Sequence, residues 1–356
     1  MKKNLMVIST LIMAFLLAAC SFGQAAPNTE TDPVIEATQP PATEEAIQAA
    51  LTEAPIVHTT IPSEPEKNLG NASDNDETLS HENFDVNFGD DFVKNRFERP
   101  FTANMGEYLP EIDIVKFSIG EDDNFFYVTM TLGGLPADGQ ALSGHYAIEV
   151  DGNIDGRGEL LIVASPPFGA DWSTDGVQIF ADNNGDLGGE NPRRRDENYN
   201  GDGYETLVFD NGRGSNPDLG WARFTNSEAP EIEIAFSKVI FPKVPSFMWS
   251  VWASKDGFDP TKFNLHDTTT EEAAGSPDKQ NSFYPITGIA AVDNSCRVPV
   301  GFQATGTEPL GCPVAGVPEE EGGPASGGST PGFCQLYPVL CKGIILIPIP
   351  TPIIIK

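Results

Sequence analysis

The strongest chemical signal in this chain of 356 residues is a set of stretches in which oxygen-bearing side chains alternate with others. Asp151-Gly-Asn153-Ile-Asp155-Gly156-Arg-Gly-Glu159 places Asp151, Asn153 and Asp155 at every second position, follows them with a glycine for a sharp turn, and adds Glu159. A stretch of this kind curls several hard oxygens toward one point, as Ca2+ requires. Asp182, Asn184 and Asp186 repeat the spacing, and Asp196, Asn198, Asn200 and Asp202 make a third run. Asp, Asn and Gly also build ordinary β-turns, so any one run alone also reads as a turn. Three runs within about 50 residues of an acidic chain favour at least one calcium site.

Position 12 of a loop counted from Asp151 is Ile162 rather than Glu, and the flanking segments read as strands. That excludes an EF-hand and leaves a calcium loop carried by a β-sandwich. Aromatics are the second signal. Trp172, Trp221 and Trp252 are candidates to stack on sugar rings, with Asp171, Arg223 and Asn226 near them in sequence. The alternative is that the tryptophans pack in the core or in turns. Trp249 and Trp252 have opposite parity on one strand, which sends one to the core and the other outward. Signals for catalysis are poor: the chain has four histidines, and it contains neither Gly-x-Ser-x-Gly nor His-Glu-x-x-His. His266-Asp267 reads as a base pair or a turn cap, and Arg193-Arg194-Arg195 as an anion grip or a counterweight to acidic loops. No residue is assigned a catalytic role.

The elements that must position these groups are strands. Phe126, Val128, Met130 and Leu132 alternate with Phe125, Tyr127, Thr129 and Thr131, and Tyr146, Ile148 and Val150 repeat the pattern. Short runs follow at 160–164, 177–180, 207–209, 232–236 and 247–253, divided by Gly/Asp/Asn turns. With 35 Gly and 30 Pro and no sustained helical periodicity after residue 84, the expected fold is all-β: an immunoglobulin-like antiparallel sandwich with long Asp/Asn/Gly loops. The formal charge of −31 repels nucleic acid and anionic lipid, and suits divalent cations, basic partners or neutral ligands.

The expected organisation is a signal peptide over 1–19, a disordered Pro/Thr/Glu-rich tether over 20–80, the sandwich over 81–295, a stapled loop over 296–316, and a Gly/Pro linker with an apolar tail over 317–356. The tether would span about 45 Å as a flexible coil. Cys296, Cys312, Cys334 and Cys341 are an even set, for which local pairing, Cys296–Cys312 and Cys334–Cys341, is expected because a Gly/Pro/Glu-rich stretch separates the two pairs. The tail, residues 343–356, is apolar but carries Pro348, Pro350 and Pro352, which rule out a spanning helix. It reads as a docking segment for a protein partner or the membrane interface, or as a strand packed on its own domain.

Two resemblances add to this reading. Lys2 and Lys3, the apolar run from Leu5 to Leu17, and Leu17-Ala18-Ala19-Cys20 resemble the signal and lipobox of bacterial lipoproteins. The resemblance implies cleavage before Cys20, a diacylglyceryl group with palmitate-like chains on its sulfur, and a domain tethered outside the cytoplasm. Glu111-Ile-Asp-Ile-Val, Glu121-Asp-Asp-Asn-Phe-Phe-Tyr-Val and Tyr146-Ala-Ile-Glu-Val-Asp151 look like the opening strands of family-9-like carbohydrate-binding and DOMON-like sandwiches. That likeness implies a sandwich with calcium and with sugar or haem as ligand. The resulting expectation is a membrane-anchored, calcium-stabilised, glycan-binding lipoprotein, with an envelope assembly subunit docking through its tail as the alternative.

Overall fold

The computed structural model describes residues 55–317, apart from 87–88, 137–138, 140, 197–200, 227, 241–244 and 278–283. Cys20, the segment before residue 55, Cys334, Cys341 and the tail at 343–356 therefore lie outside the described residues. In chain order the elements are β1 (Lys67–Ser73), the one-turn helix α1 (Ser80–Asn83), β2 (Glu98–Arg99), β3 (Ile114–Glu121), β4 (Phe125–Leu132), β5 (His145–Asp151), β6 (Leu160–Ala164), β7 (Val177–Ala181), β8 (Thr206–Asp210), β9 (Gly220–Asn226), β10 (Pro230–Ser237), β11 (Phe247–Ser254), the one-turn helices α2 (Leu265–Thr268) and α3 (Glu271–Ala274), β12 (Val292–Asn294) and β13 (Val298–Val300).

These strands form two sheets whose ladders are antiparallel, an all-β sandwich as expected. One sheet has five strands in the order β1-β3-β4-β10-β9. The other has eight, β2-β12-β11-β5-β6-β7-β8, with β13 also paired to β11. The core lies between them. Phe126, Val128, Met130 and Leu132 of β4 face it together with Tyr146, Ile148 and Val150 of β5, while Phe125 and Tyr127 face the other way into a cluster with Trp221 and Ala235. The period-two alternation read from the sequence is thus the alternation of the two faces.

The eight-stranded sheet is covered on both faces. Its outer face buries Ala147, Leu161, Val163, Phe180 and Trp252 under Phe92, Phe97, Leu187, Tyr204 and Phe263, which come from loops and short helical turns. β6 is accordingly apolar at every position, and all five of its residues are buried.

Two expected boundaries are corrected. The tether was expected to reach residue 80, but Lys67–Ser73 forms β1 on the edge of the five-stranded sheet, and Asp218 accepts hydrogen bonds from the amides of Thr59 and Thr60 at 2.8 and 2.9 Å. β1 is polar because it is an edge strand with a bulge between Asn68 and Gly70, so it lacks the apolar alternation that marks a strand. The segment 296–316 was expected as a stapled loop outside the sandwich at 81–295. Cys296 and Cys312 are indeed bonded, with Cα atoms 4.9 Å apart, but β13 within this segment continues the sheet alongside β11.

Candidate calcium loops

The first acidic run is the β5–β6 connection. Asp151 ends β5 and is fully buried. Its Oδ1 accepts from the Ile154 amide at 2.6 Å and the Asp155 amide at 3.3 Å, and its Oδ2 accepts from the Gly156 amide at 2.9 Å. Asn153 Oδ1 accepts from the Asp155 amide at 3.0 Å, Asp155 Oδ1 from the Arg157 amide at 2.8 Å, and Glu159 Oε2 from the Gly152 amide at 2.5 Å. These bonds wind the loop around its own side chains. One oxygen from each of Asp151, Asp155 and Glu159 lies within 4.8 Å of the others, and Asp155 Oδ2 is buried without a hydrogen-bond partner.

The second run, the start of the β7–β8 connection, repeats the scheme position by position. The first residue, Asp182, accepts through Oδ1 from the fourth residue, Gly185, at 2.6 Å, and through Oδ2 from the sixth, Leu187, at 2.9 Å. Asn184 Oδ1 accepts from the fifth amide, Asp186, at 3.0 Å. Both loops hold their fourth residue in the left-handed region, Ile154 at φ 62° and Gly185 at φ 72°. That conformation is costly for a β-branched side chain, so the first loop is held by its bonds rather than by local preference. The loops are also neighbours: the Asp182 amide donates to the Glu159 carbonyl at 3.2 Å.

The third run does not make a separate ring among the described residues. Asn198 and Asn200 fall outside them. Asp196 accepts from the Glu190 amide at 2.7 Å, whereas Asp202 is drawn to the second loop, its amide 3.2 Å from Asp186 and its Oδ1 accepting from Asn184 Nδ2 at 2.8 Å.

Both loops concentrate negative charge in poorly hydrated surroundings. Burial pushes Asp151 up to about 6 even though Arg297 is beside it, and burial together with the Asp151 charge raises Glu159 well above the carboxylate range. In the second loop burial pushes Asp182 to about 6, and burial plus the charges of Asp182 and Asp202 push Glu205 to about 7. A bound divalent cation would reverse each of these shifts.

Two residues outside the acidic runs lie against the loops. Arg297 is buried between Asp151, at 2.7 Å, and Glu149, at 3.1 Å, and supplies a fixed positive charge behind the first loop. Glu205 accepts from the Asn183 amide at 3.0 Å and adds a carboxylate to the second. Arg297 is more than 130 positions away from its partners, and Glu205 is set apart from Asp182 by an intervening loop, so spacing could not reveal either.

The tryptophan expectation is largely overturned. Trp221 and Trp252 are 3 and 2% exposed, with His58 and Phe263 packed against their rings at 4.5 and 4.6 Å, so neither offers a face to a ligand. Trp249 and Trp252 do lie on opposite faces, but loops cover the outer one, which parity alone cannot show. Trp172 is half-buried, bonded from Nε1 to the Ser63 carbonyl at 3.2 Å and stacked by the Arg223 guanidinium at 4.4 Å. His266 and Asp267 are buried 3.2 Å apart, with His266 Nδ1 against the Phe92 and Val93 carbonyls, a structural position at the start of α2.

Comparison of the chain with protein-family models, curated proteins and solved structures finds no match in any of the three.

Proposed function

We propose that this protein is a lipoprotein anchored at Cys20 outside the cytoplasm, and that its sandwich is a calcium-stabilised, non-catalytic binding module with a glycan as ligand. The observation that carries the calcium part is the repeated hydrogen-bond scheme of the loops at Asp151 and Asp182. Backbone amides fix each leading aspartate, and the pattern leaves further carboxylates crowded and poorly neutralised. A β-turn needs no such crowding, whereas an oxygen-ligated cation does. Among the described residues no helix is long and apolar enough to cross a membrane, so attachment in this reading rests on acyl chains at Cys20.

The glycan part rests on the sandwich resemblance and on the one candidate tryptophan with an accessible edge. Trp172 with Arg223, whose guanidinium is also bonded to Glu64 at 2.7 Å, offers an aromatic edge rimmed by groups that bond hydroxyls. The test is a thermal melt of the chain from residue 20 onward bearing Cys20→Ser, first in chelator, then in millimolar calcium, then with a mixed polysaccharide digest. A calcium-dependent rise followed by a further rise with the digest is expected. A melt indifferent to calcium would reduce the loops to turns and remove the calcium reading. A calcium response without a digest response would leave a calcium protein of another binding class.

A further inference from the structure

Carboxylates that the sequence scatters from position 74 to position 293 meet where an edge of one sheet approaches an edge of the other. Glu98 of β2 stands directly opposite Asp293 of β12 in the ladder, which puts their side chains on one face. Asp74 follows β1, its amide bonded to the Val115 carbonyl of β3 at 3.1 Å. Asp113 immediately precedes β3, and Glu77 lies in the turn before α1 with its amide on Asp113 Oδ2 at 3.0 Å.

Most of these groups are held by one oxygen. Asp293 Oδ2 accepts from the Ile114 amide at 2.6 Å, Glu98 Oε1 from Asn75 Nδ2 at 3.1 Å, Asp74 Oδ1 from the Asn75 amide at 3.2 Å, and Asp113 Oδ2 also from the Tyr108 hydroxyl at 2.6 Å. The other oxygen in each case, Asp293 Oδ1, Glu98 Oε2, Asp74 Oδ2 and Asp113 Oδ1, is buried with no hydrogen-bond partner, and so is Glu77 Oε2. Asp113 and Asp293 are 0% exposed, Glu77 1% and Glu98 2%. Leaving so many buried carboxylate oxygens unpaired is among the costliest arrangements a fold can hold. The basic side chains flanking Glu98 relieve it only in part: Arg99 is bound to Asp90 at 2.7 Å, and Arg96, 3.5 Å from Asp91, favours the charged form of Asp74 but leaves it raised to about 6 by burial.

One oxygen each from Asp74, Glu98 and Asp293 lies within 4.8 Å of the others, a spacing that fits oxygens arranged around an ion bound at about 2.3–2.6 Å. We propose that Asp74, Glu98 and Asp293 ligate a divalent cation of calcium type, with Asp113 and Glu77 supplying further oxygens, and that this ion ties the two sheets together. The donor set is all oxygen, without the His or Cys that zinc prefers. So many protein carboxylates displace the waters that magnesium retains, which favours calcium. Asp74, the half-buried member, marks the side from which the ion enters.

This site is independent of the two loops. On β11, Met248 pairs with Asp151 and Ala253 with Asp293, so the loops and the carboxylate joint sit at opposite ends of that strand, about 17 Å apart.

The experiment counts calcium retained per full-length chain after stripping and re-equilibration at physiological salt, in wild type, in Glu98→Gln/Asp293→Asn, and in the loop variant Asp155→Asn/Asp186→Asn. The joint variant is expected to lose about one equivalent that the loop variant keeps. Unchanged calcium in a folded joint variant overturns this proposal. Unchanged calcium in the loop variant, with the loss seen only in the joint variant, overturns the loop reading and leaves this one standing. Should the joint variant not fold, Asp74→Asn at the least buried position decides: calcium affinity falls about tenfold or more if Asp74 is a ligand, and unchanged affinity sinks the proposal.

Discussion

The acidic loops at Asp151 and Asp182 and the carboxylate joint around Asp293 meet the same electrostatic problem in opposite ways. In the loops the chain folds back on itself within six residues, and backbone amides occupy most of the oxygens of the leading aspartates. The first loop adds Arg297 as a built-in countercharge. At the joint the carboxylates arrive from separate segments, each held by few donors, and one oxygen of each is left without a partner. A locally wound site keeps its shape whether or not an ion is bound. In the proposed assembled site the ion adds cohesion, because without it the carboxylates repel across segments joined there by the β2–β12 ladder and by single hydrogen bonds such as Ile114 amide to Asp293 and Glu77 amide to Asp113.

The largest effect that would break this comparison comes from Arg297→Met. Removing the guanidinium leaves Asp151 and Glu149 buried without a countercharge, held only by amides and by the Tyr204 and Ser250 hydroxyls, a loss of about 3–5 kcal/mol in chelator. Calcium should restore much of it by taking over the countercharge at Asp151. Denaturant unfolding with and without calcium reads both numbers, and a loss that calcium does not touch would mean the first loop binds no cation. Chelation of the wild type comes next. A site held at a hundredfold above its dissociation constant contributes about 2.7 kcal/mol. For a domain of this size that is a fall in Tm of about 5–10 °C per site, and the Glu98→Gln/Asp293→Asn chain should show a smaller chelator effect than the wild type.

A pH series probes what the two regions share, because the loops carry raised carboxyls as well. Burial raises Asp74 to about 6, and burial together with neighbouring charge raises Glu77 and Asp113 to about 7, all above the ordinary range near 4. Between pH 4 and 7 the folded chain therefore holds protons that the unfolded chain has released, so in chelator stability falls as pH rises through that window. Calcium keeps the groups ionised and removes the slope. Melts at pH 5 and pH 8, each in chelator and in calcium, should show a lower Tm at pH 8 only in chelator; equal slopes in both would place the raised groups away from any ion. The smallest expected effect is a gain. Ile154→Gly relieves a β-branched residue at φ 62° and should stabilise the chain by about 1 kcal/mol with calcium affinity kept, which makes the first loop match the second at its fourth position.

What could be read from the sequence follows the same division. The β4 and β5 alternations, the Cys296–Cys312 pairing and the Asp-x-Asn-x-Asp spacing are all local, and periodicity or proximity displays them directly. β1 was hidden because only Leu69 and Ala72 of this edge strand are apolar, and the bulge between Asn68 and Gly70 breaks their alternation. Trp252 was misread because parity tells which face a residue takes, and says nothing about the loops that cover that face. The joint was invisible for a stronger reason. In a chain with 52 acidic residues no individual Asp or Glu stands out, and only pairing between β2 and β12 brings Glu98 to Asp293.

That long-range pairing also sets a schedule. Asn294 donates to the Asn95 carbonyl across 199 positions, and β13 completes the edge of β11 only with Val298–Val300. A chain that is synthesised from its first residue therefore cannot close its larger sheet until nearly the whole domain has emerged from the ribosome. Closure of the larger sheet is a late event by topology alone. The last strands of the described domain carry the arginine, the disulfide and the aspartate that hold the two ends of the sheet.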